Sequence, residues 1–108
     1  GLNLSGANLA DASFIGTDLR ETNLQDSNLS RAKLVQTQLD QADLTGACLT
    51  GACIQDWNIT SSTKLDGVEC EYVYMRLPTK ENPDPCRQPA NHNEIFEPGE
   101  LADFIHMS

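Results

Sequence analysis

Residues 2–59 read LNLSGANLADASFIGTDLRETNLQDSNLSRAKLVQTQLDQADLTGACLTGACIQDWNI, and in this stretch a large apolar residue returns at every fifth position. The series is Leu4, Leu9, Phe14, Leu19, Leu24, Leu29, Leu34, Leu39, Leu44, Leu49, Ile54 and Ile59. Two residues before most of these sits a small one: Ala7, Ala12, Thr17, Thr22, Ser27, Ala32, Thr37, Ala42, Ala47 and Ala52. Between the two lies a polar residue, usually Asn or Asp. A period of five fits neither the helical 3.6 nor the strand 2.0. On an α-helix each step of five advances about 140° past a full turn and smears the leucines around the circumference. A long strand sends them alternately to both faces. Five residues do make one short extended side plus one corner. The centre residue and the small residue two before it then point the same way, toward an axis, while the other three positions face water. Several sides close a coil, and stacked coils pair at about 4.8 Å. The sequence therefore predicts an all-β solenoid with a narrow shaft filled by Leu and Ala. The corners account for Gly6, Gly16, Gly46 and Gly51 and for the recurrent Ser, Thr, Asp and Asn.

The runs Ala7-Asn8-Leu9-Ala10-Asp11, Ala42-Asp43-Leu44-Thr45-Gly46 and Ala47-Cys48-Leu49-Thr50-Gly51 resemble the A-[D/N]-L-x-x unit of the pentapeptide-repeat family. The resemblance implies a right-handed quadrilateral β-helix with four units per coil. Residues about twenty apart then stack: Leu4 under Leu24 under Leu44, and Phe14 under Leu34 under Ile54. Some units depart from the pattern. Thr17, Thr22, Ser27 and Thr37 stand where Ala is usual, and a buried hydroxyl needs a partner, for which the backbone of the adjacent coil is expected. Lys33 and Gln38 replace Asp or Asn at outward positions. Trp57 occupies a small-residue column above Thr17 and Thr37 and is too large for the shaft, so the regular barrel is expected to end there and a cap to begin.

After Ile59 the phase slips by one residue, and Thr63/Leu65, Val68/Cys70 and Val73/Met75 restore the inward spacing. The alternating stretch from Val68 to Met75 reads as strand. The expected organisation is a repeat β-helix over 1–76, with regular units at 2–61 and a phase-shifted partial coil at 62–76. About three to four coils result. A proline-rich loop follows at 77–95, expected to wrap the barrel or move freely. A short capping helix is expected at 96–108. Pro98, early acids, and apolar Leu101, Phe104 and Ile105 at i, i+3, i+4 mark it. Its apolar face, with Phe96 and Trp57, is expected to cover the open end of the solenoid and hide unpaired strand edges. The tail, with Trp57-Asn58-Ile59, Cys70-x-Tyr72-Val73-Tyr74 and Pro98-Gly99-Glu100, also resembles the C-terminal end of cyanobacterial pentapeptide-repeat proteins, more loosely than the repeat does. Nothing before Leu4 resembles a cap. Either further coils precede it, or two copies pair end to end through this N-terminal coil.

Sixteen acidic residues against seven basic ones give a net charge of −9 over 108 residues. That argues against direct binding to nucleic acid or to an anionic membrane and leaves room for a basic partner. No run reaches the roughly 18 apolar residues of a membrane span. The expected compartment is the cytoplasm, with the periplasm or thylakoid lumen as the alternative if a leader has been removed.

Four cysteines raise disulfide and metal readings. Cys48 and Cys53 fall at outward positions on adjacent sides and are expected as free thiols, since a disulfide needs Cα atoms within about 7 Å. Cys70 falls at an inward centre and reads as a small core residue. A Cys70–Cys86 bridge pinning the proline-rich loop is the alternative in an oxidising compartment. Cys86, His92 and His106 have no recognised zinc spacing, and no metal or cofactor is expected. No nucleophile–base set, phosphate loop or carboxylate pair stands at catalytic spacing, so the chain is read as non-enzymatic: a structural or protein-interaction module whose partner is an unidentified protein. The alternative is a DNA mimic acting on a topoisomerase such as gyrase, as the resemblance implies for some family members. Its charge density speaks against it. Three coils span about 14 Å, the length of about eight phosphates. The seven acids of the repeat are Asp11, Asp18, Glu21, Asp26, Asp40, Asp43 and Asp56, spread over four sides and offset by Arg20, Arg31 and Lys33.

Overall fold

The structure, a computed structural model, describes residues 1–106. Its backbone is organised by parallel bridges between successive levels rather than by long strands. The first row runs Asn3–Asn23–Asp43–Lys64 and the second Asn8–Asn28–Cys48–Glu69. The third runs Ser13–Lys33–Cys53–Tyr74 and the fourth Asp18–Gln38–Asn58. Four rows, with one corner between each pair, make a four-sided coil. Each level is tied to the next by hydrogen bonds in both directions. Leu24 N donates to Asp43 O (2.8 Å) and Asp26 N to Thr45 O (2.9 Å), while Asn23 N donates back to Leu2 O (2.8 Å).

The corners repeat one conformation. At the corner after Leu44, Ala47 N donates to Leu44 O (2.9 Å) and the third residue, Gly46, has φ +74°. Positive φ at the third residue alone is the signature of a type II turn. The same position carries positive φ in every unit from Gly6 to Asp56. Only four of these eleven corner residues are glycine. Asp11, Glu21, Asp26, Arg31, Gln36, Gln41 and Asp56 hold φ between 52° and 64°, where a Cβ is disfavoured. The ladder on both sides of each corner over-determines the conformation.

The inward columns form a single core cluster. Leu19, Leu24, Leu29, Leu34, Leu39, Leu44, Leu49 and Ile54 are buried, as are Ala32, Ala42, Ala47 and Ala52. Leu4, Leu9, Phe14, Ala7 and Ala12 in the first level are half-buried, as is Ile59. Leu2 is 64% exposed.

Trp57 does not end the ladder, contrary to the sequence expectation. It is half-buried against the core cluster, its N–H donates to Ile54 O (3.2 Å), and Asn58 N still reaches Thr37 O (2.8 Å). The slip comes three residues later. Asp43 bridges Lys64, 21 positions on, where every earlier bridge spans 20. The extra residue is taken up between Thr60 and Thr63, where Thr63 N donates to Thr60 O (3.0 Å) and neither Ser61 nor Ser62 has positive φ. One inserted residue thus changes the turn type and leaves the ladder intact. Lys64 N, Glu69 N and Tyr74 N still donate to Ala42 O, Ala47 O and Ala52 O.

Two short strands and a helix complete the chain. β1, Val73–Tyr74, pairs antiparallel with β2, Arg87–Gln88, in the register Val73↔Gln88 and Tyr74↔Arg87. The segment read from sequence as loop therefore contributes a strand to the side of the barrel. A two-residue strand flanked by prolines carries no periodic signal by which to find it. α1 spans Glu100–His106. It begins after Pro98 and Gly99 (φ +85°), with Glu100 Oε1 accepting from Glu97 N–H (2.6 Å) in half of a capping box. Leu101 is 3% exposed and belongs to the core cluster, while Phe96, Phe104 and Ile105 pack against it. Met107 and Ser108, the last residues of the expected cap, lie outside the described residues.

Candidate functional site

The outward Asn and Asp side chains have a local task. Asn3, Asn8, Asp18, Asn23, Asn28 and Asp43 each accept, through Oδ1, the backbone N–H two residues on, at 3.0–3.3 Å. These are Asx turns, which satisfy the first amide of those six corners. The sequence assigns the recurrent Asn and Asp to the corners, and these bonds are how they serve them. The third row, Ser13–Lys33–Cys53–Tyr74, contains no Asn or Asp, and the tail lies on that side.

Arg87 anchors the tail. It is only 8% exposed, and its guanidinium donates to three carbonyls, those of Pro89, Asn91 (2.8 Å) and Glu94 (3.1 Å). It also lies 4.7 Å over the ring of Tyr72, a cation–π contact. Tyr72 meets Tyr74 edge-on at 5.7 Å, and the Tyr74 hydroxyl donates to Asp84 (2.9 Å). Burial, and then this bond to Asp84, push the Tyr74 phenol up to about 12. None of these roles was anticipated from sequence. An arginine in a proline-rich stretch looks like any solvated charge until its carbonyl partners are known.

The four cysteines are free. Cys53, in the outward third row, is 2% exposed because the tail covers it, and Cys48 is half-buried with its Sγ 3.2 Å from Ser30 Oγ. Burial raises the Cys53 thiol, and burial drives Cys70 to about 12. Cys70 Sγ donates to Tyr72 O (3.4 Å). The Cys70–Cys86 bridge allowed by the sequence reading is not formed. The β1–β2 register puts Cys86 opposite Met75, whose N–H it accepts at 3.2 Å, five positions beyond Cys70.

The acidic side chains of the repeat are largely engaged. Arg31 clamps Asp11 through two bonds (2.8 and 3.0 Å), and Arg20 clamps Asp18 in the same way (2.9 and 2.8 Å). The Arg20 guanidinium holds the Asp18 carboxyl down at about 2, and Arg31 lowers that of Asp11. Hydrogen bonds from Thr45 and Gln25 lower Asp43. Arg31 and Asp11 stand in one corner column twenty residues apart, so their pair staples two levels together.

Among the described residues no helix is long and apolar enough to cross a membrane. No curated protein sequence matches the chain. A solved pentapeptide-repeat protein of the Arabidopsis thaliana thylakoid lumen is 30% identical and superposes with a TM-score of 0.67 over 71% of this chain. The chain spans 52% of that protein's length. A pentapeptide-repeat protein of the cyanobacterium Cyanothece 51142 is 32% identical over 64% of this chain and 50% of its own, with a TM-score of 0.33. HetL of Nostoc, described as involved in regulating heterocyst differentiation, is 25% identical over 68% of this chain and 40% of its own, with a TM-score of 0.31. The last two superpose too loosely to bear on the fold. The family model for pentapeptide repeats matches residues 1–26 and 22–56 in eight copies. With four bridge rows, twenty-residue stacking and that match over more than half its length, the chain belongs to the pentapeptide-repeat family, whose fold is a right-handed quadrilateral β-helix.

Proposed function

We propose that this chain is a non-enzymatic structural or protein-interaction module. Its body is residues 1–76, a solenoid of three to four coils. Residues 77–95 act as a strap along one side, and the segment from Phe96 onward acts as a lid over the far end. One observation carries the reading. Asn3, Asn23 and Asp43 in the first row and Asp18 in the fourth hold their own corner amides, so these side chains are ordered before any partner arrives. An ordered surface loses little conformational entropy on binding.

The first and fourth rows are the docking faces in this proposal, because the tail occupies the third row and the margin of the second. Gln38 and Asn58 are exposed neighbours in the fourth row. Changing both to Arg should abolish capture of a protein partner while leaving the melting temperature within about 1 °C of wild type, as expected for surface changes. Undiminished capture by the folded variant would remove the fourth row from the interface. The DNA-mimic alternative receives less support, since Asp11 and Asp18 are each clamped by an arginine. Inhibition of gyrase supercoiling at micromolar protein would reverse that ranking. Free thiols suit a reducing compartment such as the cytoplasm. The first level, where Leu2 is exposed and Leu4, Leu9 and Phe14 are half-buried, is the face on which either further coils or a second copy stacks, and sedimentation of this chain as a dimer would favour the second copy.

A further inference from the structure

A cleft of about 280 Å³ lies between the third row and the strap, lined by Arg31, Lys33, Gly51, Cys53, Tyr72, Tyr74, Pro78 and Pro83. Its floor and walls are apolar: two tyrosine rings set edge to face, two proline rings and a buried thiol. Its depth depends on Gly51. A Cβ there would meet Arg31 Cγ at 3.1 Å and the Tyr72 hydroxyl at 3.5 Å, in a backbone with φ +77°.

Lys33, the Tyr72 hydroxyl and Arg31 bring hydrogen-bond donors to the cleft. Lys33 makes no ion pair among the described residues. The Tyr72 hydroxyl, beside Gly51, makes no hydrogen bond within the described residues. Arg31 uses Nε and Nη2 on Asp11, which leaves the Nη1 hydrogens uncommitted. Arg31 and Lys33 line the cleft and Arg87 lies behind Tyr72, while the nearby carboxylates of Asp11 and Asp84 are bonded to Arg31 and to the Tyr74 hydroxyl. With Arg31 paired to Asp11 and Arg87 bonded to three carbonyls, Lys33 is the cation the cleft offers to a ligand. Apolar walls fix the body of a ligand, and a few converging donors fix its orientation.

We propose that this cleft binds a small flat aromatic carboxylate, its rings against Tyr74, Pro78 and Pro83 and its carboxylate on Lys33 and the Tyr72 hydroxyl. The volume falls just below the usual range of about 300–1,000 Å³ for small-molecule sites, which suits a one- or two-ring ligand. Charge-assisted bonds from Lys33 supply the preference for an anion. The site is separate from the docking faces of the first and fourth rows, so its failure leaves the protein-interaction reading untouched.

The test titrates the full chain with 2-naphthoate and with neutral 2-naphthamide, following amide proton–nitrogen NMR shifts. Naphthoate should produce saturable shifts at Gly51, Cys53 and Tyr72, with naphthamide binding at least tenfold more weakly. Lys33→Gln should weaken naphthoate about tenfold and Tyr72→Phe about threefold, while Lys64→Gln, on the first row, should change nothing. No saturation by 10 mM naphthoate, equal affinity for the amide, or unchanged binding by Lys33→Gln would each overturn the proposal. Should either cleft variant misfold, the acid–amide comparison on the wild-type chain still decides.

Discussion

At the scale of single residues, the inward small column shows what a hydroxyl is worth inside a dry shaft. Thr37 replaces Ala and donates to Phe14 O (2.7 Å), a carbonyl of the level below; Thr63 does the same to Leu39 O (2.7 Å). Ser27 sits in an equivalent position with its hydroxyl buried and unpaired among the described residues. Both residues carry the hydroxyl on Cβ at the same reach, so the difference is one of direction: the Thr37 hydroxyl is turned onto a neighbouring carbonyl and that of Ser27 is not. An unmade buried bond costs about 1–3 kcal/mol, while a made one contributes about 0.5–1.5 kcal/mol net. Ser27→Ala should therefore stabilise and Thr37→Ala destabilise, by about 1 kcal/mol each, although both restore the family's usual residue. Chemical denaturation of the two variants beside wild type checks this; a loss of stability in both would mean that Ser27 has a partner. From the sequence alone both residues were equally expected to bond to the adjacent coil. The direction of the hydroxyl, not residue class, separates them.

At the scale of the element, five-residue periodicity made the inward columns legible. A strict period with Leu at one position and Ala two before it has one geometric solution, and Leu24 through Ile54 are buried accordingly. The corner conformation was partly legible, since Gly6, Gly16, Gly46 and Gly51 announce positive φ but Gln36 and Arg31 do not. Of the strap, the sequence offered two expectations, a loop that wraps the barrel or one that moves freely, and its anchor was not legible. Its position follows from Arg87 and from the short β1–β2 pair, which are long-range contacts with no periodic trace. Two predictions belong here. Ala47 is fully buried between levels, and Ala47→Leu should overfill the shaft and cost about 1–3 kcal/mol or more; an unchanged melting temperature would contradict the packing of that column. Arg87→Lys keeps the charge but loses the planar fork that serves three carbonyls at once. It should release the strap while sparing the repeat. Hydrogen exchange should then accelerate at Phe96, whose N–H donates to Glu71 O, while Leu34 and Leu39 stay protected. Equal protection at Phe96 in the variant would assign the anchoring to other contacts.

At the scale of the whole molecule, the excess of sixteen acids over seven bases is distributed so that part of it stabilises the fold. Asp11 and Asp18 accept paired bonds from arginine, and Asp43 accepts from Thr45 and Gln25. All three carboxyls titrate below their ordinary value, Asp18 at about 2. In the unfolded chain an Asp carboxyl titrates at about 3.9. As acid is added, the unfolded chain takes up protons at these positions before the folded one does. Between about pH 4 and pH 2 the unfolded state therefore binds more protons, and stability falls as pH falls. Above about pH 5 all three groups are ionised in both states, and their contribution is fully present and constant. These carboxylates are exposed, so solvent screening keeps each effect small and added salt should diminish it. The expected result is a melting temperature that is flat from pH 5 to pH 7 and declines from pH 4 to pH 2. The control is Asp18→Asn, which retains the oxygen that accepts the Arg20 amide (3.0 Å) but cannot ionise. Its melting curve should decline less between pH 4 and pH 2 than that of wild type. A wild-type curve that rises on acidification would mean that relief of repulsion across a chain of charge −9 outweighs the loss of these paired carboxylates.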